Sequence, residues 1–316
     1  MALMVLICPL SVLILMGMQV LCSASSLDRG FCATPAPSER LKAEFRRLSM
    51  SKPRTNSSFV YETREAESTI QIETWFHIVS SQAAANSVSD QMIASQLIYL
   101  QEAYENATIS YRLKGITRHV NDTWAHNQDE IAMKSALRRG SYSTLNVYFQ
   151  TDLQMSSDGS ARALRDISAR QMGTLSSSVL GFCTLPDPSI NASSPRSTYI
   201  KDGCNVLAQT MPGGSLAHYN QGGTAVHEIG HWNGLLHTFE GDTCSSNNEG
   251  DYIDDTPQQS EPTNGCPAQK DSCPDLPGLD AIHNFMDYSS DDCYENFTPD
   301  QIERMRNMWF SMRAGK

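Results

Sequence analysis

The sequence lacks a long basic cluster and carries more acidic than basic side chains. Its 316 residues include 24 Lys and Arg against 35 Asp and Glu, which gives a formal net charge of -11 at pH 7. The basic runs that stand out are short pairs such as Arg46-Arg47 and Arg138-Arg139. This balance argues against nucleic acid or an anionic membrane as the main partner, and we attribute the acidity to solubility.

Beyond its first residues the sequence also lacks a hydrophobic run long enough to span a membrane. An apolar run over residues 3–21 is followed by the small residues Cys22, Ser23 and Ala24, which is typical of a secretory signal cut after Ala24. We therefore predict a signal peptide over 1–24 and no membrane contact after its removal. No Lys or Arg precedes the run and its length approaches that of a spanning helix, so a retained membrane anchor is the alternative.

Cysteine is present in an odd number once the predicted signal is removed. Cys8 and Cys22 fall within the signal, and the remaining cysteines are Cys32, Cys183, Cys204, Cys244, Cys266, Cys273 and Cys293. In an oxidising compartment six of these can form three disulfides and one is left over. Asn-x-Ser/Thr triplets, which can carry glycans in a secreted chain, begin at Asn56, Asn106, Asn121, Asn191 and Asn296. We predict a secreted, disulfide-bonded glycoprotein.

The composition changes near residue 68. Residues 25–67 are polar and rich in Ser, Arg, Glu and Pro, and SMSKPRTNSSF within them is typical of a linker with an accessible basic site. We predict a removable pro-segment over 25–67 and a single domain over 68–316 that is large enough to be a catalytic domain. From Ile70 to Ile78 apolar residues alternate with others, as in a half-buried strand.

Strands and helices alternate through the first part of the predicted domain. Ser89 is expected to cap a helix over DQMIASQLIYLQEAYENA, and a second helix is expected in DEIAMKSALRRG. The segments that predict further strands are ISYRLKGI, TLNVYFQT, VLGFCTL and CNVLAQT. This order predicts an α/β half in which helices are interleaved among strands.

The regular pattern ends in the last quarter of the chain. Residues 240–280 are crowded with Gly, Pro, Asp, Asn and Cys and lack usable periodicity, so disulfides or a bound ion must stabilise them. Thr298, Pro299 and Gln301 form the sequence of a capping box for a last helix, whose apolar face we assign to the core.

The stretch HEIGHWNGLLH, which begins at His227, combines three histidines with a glutamate. A helix capped by Thr224 would place His227 and His231 four residues apart on one face, where both rings can reach one ion. Gly234 suits a left-handed helix end, and the turn there would let His237 return as a third ligand. We therefore predict a metal site with three histidine ligands.

Three protein ligands leave an open position for water, which is the pattern of catalytic zinc and not of structural zinc. Glu228 follows the first ligand and is suited to take the proton of that water as it attacks a carbonyl. In this composition a chance His-Glu-x-x-His has odds on the order of one in a hundred, and the third histidine lowers them to roughly one in four thousand. The alternative, a surface helix with unrelated histidines, is therefore disfavoured.

This motif resembles the His-Glu-x-x-His-x-x-Gly-x-x-His motif of the metzincin zinc endopeptidases, and NFMDYS, with Met286, resembles their methionine turn. With DDTP, DSC, PGLDAIHNFMDY and FTPDQ, the chain from about residue 70 onward looks most like the pappalysin family, and within it like secreted fungal extracellular metalloproteases. The resemblance implies an α+β, metzincin-like zincin. Its upper half would hold a twisted mixed sheet, a zinc-binding active-site helix and a backing helix. Its lower half would be irregular and disulfide-bonded, with the methionine turn and a C-terminal helix.

The resemblance also implies roles for individual residues. It matches the three histidines to zinc ligands, Glu228 to the general base, and Met286 to a residue that packs under the site without binding metal. Tyr288 matches a tyrosine that can stabilise the tetrahedral intermediate, and a packed aromatic without a catalytic role is the alternative. The PGGS segment before the helix and the residues after Met286 are expected to shape the pocket beside the zinc, but they do not reveal a preferred side chain.

Disulfides and calcium are two further implications of the resemblance. The implied pairings are Cys183–Cys204, Cys244–Cys273 and Cys266–Cys293, although the sequence alone does not fix a connectivity. Members of the family can bind calcium in the loop after the third histidine. Oxygen ligands of the kind calcium takes are offered there by Glu240, Asp251, Asp254, Asp255 and Thr256. A solvated acidic loop is the alternative.

Cys32 is the leftover thiol and lies in the predicted pro-segment. Some members of the family keep the enzyme latent with a pro-segment cysteine in an Arg-x-Cys-Gly context. This chain has Arg29-Gly30-Phe31-Cys32-Ala33, so the Arg is one residue early and the Gly is replaced by Ala. Either Cys32 is a latency thiol that fills the open zinc position, or it is idle or paired between molecules.

Together these observations predict a secreted, monomeric zinc endopeptidase that is made as a precursor and binds one zinc ion per chain. It would hydrolyse peptide bonds of extracellular proteins or peptides through a zinc-bound water activated by Glu228. Two other classes stay open: a secreted zinc-containing binding or toxin-like protein with little turnover, and a membrane-tethered sheddase.

Overall fold

The structure, a computed structural model, describes residues 31–50, 69–154, 179–245 and 247–316. The predicted signal and its membrane-anchor alternative, the basic linker, the pro-segment boundary and the Asn56 triplet lie outside the described residues. In the part of the chain that is described, no helix is both long enough and apolar enough to cross a membrane.

A mixed sheet of five strands forms the upper half of the domain. Its strands are β1 (Ile70–Ser80), β2 (Ile109–Val120), β3 (Leu145–Gln150), β4 (Gly181–Cys183) and β5 (Cys204–Leu207). They lie in the order β2-β1-β3-β5-β4, and neighbours run parallel except for β4, which is antiparallel to β5. All the predicted strands are confirmed. Because β4 is an edge strand, its outer side can pair with another extended segment.

Helices accompany the sheet and close the chain. They are α1 (Glu39–Met50), α2 (Asp90–Ala103), α3 (Asp122–Ala125), α4 (Glu130–Leu137), α5 (Gly223–Trp232) and α6 (Pro299–Met308). The hydroxyl of Ser89 caps α2 by accepting a hydrogen bond from the backbone of Met92, and Thr298 and Gln301 form the predicted capping box of α6. Short 3-10 turns lie at Glu105–Ala107, Arg196–Tyr199 and Ala208–Thr210, and a π turn at Trp309–Arg313 extends α6.

The main core lies between the sheet, α2 and α5. Ile72, Phe76 and Ile78 of β1 belong to it, as the alternation in the sequence predicts. At the end of α2, the buried hydroxyl of Tyr104 donates a hydrogen bond of 2.9 Å to the carbonyl of Val226 in α5. Helix α2 is therefore the backing helix that supports α5.

The lower half is irregular, as predicted. The described residues between His237 and Thr298 form turns and isolated bridges. The disulfides are Cys183–Cys204 in the sheet and Cys244–Cys273 and Cys266–Cys293 in the lower half, which are the pairings that the resemblance implies. With α6 closing this half, the architecture is the α+β, metzincin-like fold.

A buried ion network holds the C-terminal end of α5. The carboxylate of Asp202 lies 3.2 Å from a guanidinium nitrogen of Arg138 and 3.1 Å from one of Arg313. It also accepts a hydrogen bond of 3.2 Å from the indole of Trp232, the last residue of α5. The guanidinium of Arg313 lies 3.6 Å from the centroid of that indole. The end of the chain and the start of β5 are thus joined to the helix through one carboxylate.

Asp202→Ala is expected to lower the free energy of unfolding by about 3–5 kcal/mol, because it leaves two buried guanidinium groups without their carboxylate. Urea unfolding followed by tryptophan fluorescence measures the loss. Glu73→Ala is a matched control, since it removes the carboxylate from a partly exposed pair with Lys114, and it should cost less than about 1 kcal/mol. Similar losses in the two variants would contradict a structural role for the Asp202 network.

Candidate metal centre

Helix α5 carries the first two predicted ligands on one face, and the chain turns where the sequence predicts. Gly234 has a φ of 94°, and its backbone N–H donates to the carbonyl of His231 at 2.9 Å. The N–H of Leu235 donates to the carbonyl of Gly230 at 3.0 Å, which completes the helix end. The turn brings the ring of His237 back to within 4.5 Å of the ring of His231, measured between centroids.

The prediction that Thr224 caps this helix is wrong. Helix α5 begins directly after Gly222, whose φ is 103°, and no cap side chain bonds there. Asp291, from the lower half, instead accepts hydrogen bonds from the backbone N–H groups of Gln221 at 2.7 Å and Gly223 at 3.4 Å. A carboxylate stabilises the N-terminus of a helix just as a local cap does, but its distance along the chain hides it from the sequence pattern.

The three histidine rings converge on one point. The Nε2 atom of His231 lies 3.2 Å from that of His227 and 3.1 Å from that of His237. The Nδ1 atom of His227 lies 2.7 Å from the carbonyl of Phe285, and that of His231 lies 2.9 Å from the carbonyl of Leu235. Since a carbonyl only accepts hydrogen bonds, these Nδ1 atoms carry the protons. The Nε2 lone pairs are therefore directed at the common point.

Burial keeps these imidazoles neutral. It lowers the pKa of His231 to about 4 and the pKa values of His227 and His237 well below the usual range, and the neighbouring rings lower the latter two further. Neutral imidazole is the form that binds metals. His237 also has a carboxylate beside it, because Oε2 of Glu240 lies 3.8 Å from its Nδ1.

The donor set has the dimensions of a tetrahedral zinc site. With a Zn–N distance of about 2.0–2.1 Å, tetrahedral geometry separates two nitrogen ligands by about 3.3 Å. With a Zn–S distance of about 2.3 Å, it separates a sulfur from a nitrogen by about 3.6 Å. The Nε2 separations are 3.1 and 3.2 Å, and the Sγ atom of Cys32 lies 3.5 Å from Nε2 of His231. These four side chains form a group of possible metal ligands in the described part of the chain.

Glu228 lies beside the histidines and is fully buried. Burial raises its pKa to about 8, although hydrogen bonds from Cys32 and Thr34 oppose that shift. Its Oε2 accepts from the hydroxyl of Thr34 at 3.2 Å and lies 3.5 Å from the Cys32 thiol, while its Oε1 has no hydrogen-bond partner among the residues that the structure describes. Strand β4 approaches it so closely that a Cβ at Gly181 would lie 2.8 Å from Oε1. Only glycine at 181 leaves this carboxylate its present position.

The methionine turn and Tyr288 lie where the resemblance implies. Met286 is fully buried, and a Cβ at Gly230 of α5 would come within 2.5 Å of its sulfur, so the turn packs directly beneath the helix. The hydroxyl of Tyr288 lies 3.3 Å from Nε2 of His237. The ring of Tyr288 can therefore pack against its neighbours while its hydroxyl is still placed for a role in catalysis.

Asp287, between these two residues, is a site residue that the sequence analysis missed. Its Oδ1 accepts hydrogen bonds from the side chain of Gln259 and the backbone N–H groups of Thr263 and Tyr288, at 2.8–3.0 Å. It thereby joins the loop that contains Gln259 and Thr263 to the methionine turn. The sequence signal for Asp287 was its place as the acidic residue of NFMDYS, but the residues that bond to it lie in a segment without a regular pattern.

The N-terminal segment lies across the site along β4. The carbonyl of Phe31 accepts hydrogen bonds from Leu180 at 3.0 Å and Gly181 at 3.3 Å, and Ala33 donates to the carbonyl of Gly181 at 2.9 Å. Cys32 pairs with Gly181 in the parallel direction. The thiol is the free cysteine among the described residues, and its neighbours in the chain are held as an added strand.

Helix α1 attaches the same segment at a second place. Its buried residues Leu41 and Phe45 pack in a cluster with Leu185, Leu236, Met308 and Met312. The guanidinium of Arg46 makes two hydrogen bonds, of 2.6 and 2.7 Å, with the carboxylate of Glu249. The described residues of the predicted pro-segment, 31–50, are thus held both along β4 and beside α6.

The residues predicted to bind calcium do not form one group. Asp251 and Thr256 lie together, with the hydroxyl of Thr256 2.9 and 3.0 Å from the two carboxylate oxygens. Asp255 accepts from the backbone of Asp300, and Glu240 lies beside His237. Of the possible metal-ligand groups in the described ranges, none contains these carboxylates. Calcium binding and glycan attachment stay predictions.

Comparison with protein families and curated proteins places the chain among metalloproteases. Residues 185–309 match the family model of peptidase M43, described as pregnancy-associated plasma protein-A. An extracellular metalloprotease of Aspergillus oryzae is 67% identical over 96% of this chain and 97% of its own length. One of Aspergillus fumigatus is 63% identical over 94% of both chains, and one of Pyricularia oryzae is 41% identical over 93% and 94%.

Solved structures give the same architecture. Mature mirolysin of Tannerella forsythia, in complex with a cleaved peptide, superposes with a TM-score of 0.56 at 26% identity and covers 77% of this chain and 92% of its own. Promirolysin superposes with a TM-score of 0.61 at 23% identity over 90% of this chain and 94% of its own, a likeness that concerns the fold alone.

Proposed function

This chain belongs to the peptidase M43 family of extracellular metalloproteases, and on that premise we propose that it is a zinc endopeptidase with His227, His231 and His237 as ligands and Glu228 as general base. One zinc ion per chain and a monomeric enzyme are part of the proposal. The observation that carries it is the convergence of three imidazoles beside a buried carboxylate, with Nε2 of His231 3.2 Å from that of His227 and 3.1 Å from that of His237. Extracellular proteins and peptides are the proposed substrates.

Each side chain of the site has a task in peptide hydrolysis. Bound zinc would supply a Lewis acid that polarises the scissile carbonyl and lowers the pKa of a water molecule to about 7. Glu228 takes the proton of the attacking water and passes it to the leaving amine. The carboxylate is placed to do so because its Oε1 has no hydrogen-bond partner among the described residues and its Oε2 accepts from the Thr34 hydroxyl and the Cys32 thiol. Tyr288 is suited to donate a hydrogen bond to the oxyanion, since its hydroxyl lies beside the ligand His237.

Strand β4 is proposed to align the substrate. Its backbone N–H and carbonyl groups at Gly181 already bind an extended segment, residues 31–33. A substrate peptide that takes the place of this segment would pair with the same edge, which is the usual way in which an exposed strand binds an extended peptide. The scissile bond would then pass over the histidines, next to Glu228.

Metal removal tests the proposal. We expect about one zinc per purified secreted chain, and a chelator such as 1,10-phenanthroline should lower casein hydrolysis at least about tenfold, with recovery on addition of one equivalent of zinc. His237→Ala should lower both zinc content and activity, whereas His126→Ala, which alters a histidine outside the site, serves as the matched control. Activity that survives chelation in a metal-free chain would contradict the proposal.

We further propose that Cys32 keeps the precursor latent as the fourth ligand. Its Sγ atom lies 3.5 Å from Nε2 of His231 and 3.5 Å from Oε2 of Glu228, so it occupies the space that the attacking water needs. The departure from the Arg-x-Cys-Gly context is compatible with this position, because the pairing with Gly181 and the anchoring of α1 hold the segment without that Arg and Gly.

A further inference from the structure

The groove that receives helix α1 is an apolar surface of the predicted catalytic domain. It is lined by Leu185, Leu236, Met308 and Met312, which are buried beneath Leu41 and Phe45 of the helix. We call this surface the α1 groove. Removal of the predicted pro-segment takes α1 away and exposes the groove in the processed enzyme. An exposed apolar surface with a polar rim is typical of a place where another chain binds.

Phe45 is the central anchor in the α1 groove. Its ring is fully buried, with the guanidinium of Arg304 4.5 Å and the ring of Tyr252 5.6 Å from its centroid. The Nη1 atom of Arg304 is buried and has no hydrogen-bond partner among the described residues. The cation therefore interacts with the face of the ring, which favours an aromatic side chain at this point of the groove.

Acidic side chains lie around the α1 groove, and basic side chains lie on α1. The two hydrogen bonds between Arg46 and the carboxylate of Glu249, of 2.6 and 2.7 Å, have the bidentate geometry of a strong pair. The cavity at the end of α1 is lined in part by Asp254, Asp300 and Glu303. The basic residues of α1 are Arg40, Lys42, Arg46 and Arg47, and its acidic ones are Glu39 and Glu44. In a chain of net charge -11, this complementarity favours a basic helix in the groove.

The α1 groove adjoins the candidate metal centre. Leu236 directly precedes the ligand His237, and Leu185 lies two residues beyond the end of β4. In the precursor, nine positions along the chain separate Cys32 at the histidines from Leu41 in the groove. A substrate chain that is aligned by β4 can therefore reach the groove through a short connection.

We propose that the α1 groove is a second binding site of the processed enzyme, and that it selects protein substrates with a basic amphipathic helix near the cleaved bond. The proposal rests on the proposed peptidase function, because it concerns how that enzyme recognises large substrates. Leu41, Phe45 and Leu48 show the pattern that such a helix needs, with apolar residues on one face at helical spacing. A free helix of this length is marginally stable in water, so the substrate segment folds as it binds.

A labelled peptide of residues 38–50 tests the α1 groove apart from the active site, because it lacks Cys32 and the residues that pair with β4. We expect it to bind the processed enzyme with a Kd on the order of 10 µM, measured by fluorescence anisotropy. Phe45→Ala in the peptide should weaken binding at least about tenfold, and Glu249→Arg in the enzyme at least about fivefold. Absence of saturable binding, or unchanged binding of the Phe45→Ala peptide, would overturn the proposal.

Matched controls separate the α1 groove from attraction by net charge. The Arg47→Ala peptide should bind within about twofold of the parent peptide, since Arg47 pairs with Glu44 inside the helix. In the enzyme, Glu102→Arg makes the same charge reversal at an exposed position of α2 and should leave the Kd unchanged. A loss in Glu102→Arg equal to that in Glu249→Arg would overturn the assignment of the site.

The composition of the active enzyme tests whether the α1 groove is open. Mass spectrometry of the processed, active enzyme should detect the chain without its excised pro-segment. One excised segment per active chain would overturn the proposal, because α1 would then fill the groove permanently and no substrate helix could enter it.

Cleavage assays compare one cleavable sequence with and without residues 38–50, joined through a flexible linker of about ten residues. The helix should raise kcat/KM at least about tenfold, mainly by lowering KM. Glu249→Arg should remove this gain while cleaving the short peptide at the wild-type rate. The free 38–50 peptide should inhibit cleavage of the helix-bearing substrate alone.

The failures of the two proposals differ in these assays. Equal inhibition of both substrates by the free peptide would place it in the catalytic cleft and overturn the second site, as would equal kcat/KM values for the two substrates. An enzyme that cleaves neither substrate in a zinc-dependent way would overturn the proposed function. The binding of the 38–50 peptide would still decide whether the α1 groove accepts a basic helix.

Discussion

Glu228→Gln should lower kcat for peptide hydrolysis by about a thousandfold while leaving the zinc content unchanged, because general base catalysis contributes roughly 10²–10⁴ to the rate. The amide keeps the size of the side chain and can still accept the hydrogen bond from Thr34, but it has no basic oxygen to take a proton. Initial rates on a quenched peptide, with metal content measured on the same preparation, give both quantities.

Two controls show whether a loss of kcat in Glu228→Gln comes from the missing base or from a change in the fold. Glu105→Gln makes the same change at an exposed position in the turn after α2, and it should leave kcat within the error of wild type. The unfolding midpoint of Glu228→Gln should not fall, since the buried carboxylate has a raised pKa and an Oε1 without a partner. If Glu228→Gln kept more than about a tenth of the wild-type kcat, Glu228 would not be the base.

The convergence of the three histidines could be predicted from the sequence because their geometry is local. His227 and His231 are separated by one helical turn, and the return of His237 depends on a single left-handed residue, Gly234. When a helix ends at a left-handed glycine, the geometry of that end largely determines where the next three residues lie. The spacing in the sequence therefore fixes the convergence of the rings that the structure contains.

The parts that could not be predicted depend on contacts between distant segments. Asp291 replaces the expected Thr224 cap from 68 residues beyond Gly223, and Asp287 bonds to a loop that has no periodicity of its own. Glu240, which the resemblance offers as a calcium ligand, has a position beside His237 that its sequence does not indicate. In each case the partner of a carboxylate is set by the packing of the irregular half, which hydrophobic patterning does not describe.

The predicted pro-segment contains one feature that could be predicted from the sequence and one that could not. Counting leaves one cysteine unpaired, and the pairings that the resemblance implies make it Cys32. In contrast, α1 and its groove were not predicted, because the short amphipathic helix Glu39–Met50 lies in a stretch whose composition is that of a linker. Its anchoring residue Phe45 is fully buried, with the guanidinium of Arg304 4.5 Å above the ring. A chain assigned to a linker by composition can therefore still be bound tightly where one apolar face meets a matching groove.

Cys32→Ser should release the latency of the precursor. A segment that blocks the site 99% of the time leaves about 1% of the molecules competent, so its removal from the metal ligands should raise precursor activity by up to about 100-fold. Serine keeps the size of the side chain, and its backbone can still pair with Gly181, but its neutral hydroxyl is a poor zinc ligand. Activity of freshly purified precursor, measured before any cleavage of the chain, is the observable.

Because α1 anchors the segment that carries Cys32, weakening this anchor should affect activity differently before and after the chain is cut. In an uncut precursor the segment is tethered by the chain itself, so Phe45→Ala alone should change the activity little, because the effective concentration of Cys32 at the site remains high. After a cut in the basic stretch between residues 51 and 61, α1 and its pair with Glu249 supply the contacts away from β4 that hold the excised segment. Phe45→Ala should then speed activation of the cut chain, whereas Arg118→Ala, which removes an exposed ion pair with Asp90, should not. A Cys32→Ser precursor as silent as wild type would contradict the latency role, and the backbone of residues 31–33 would then be the block.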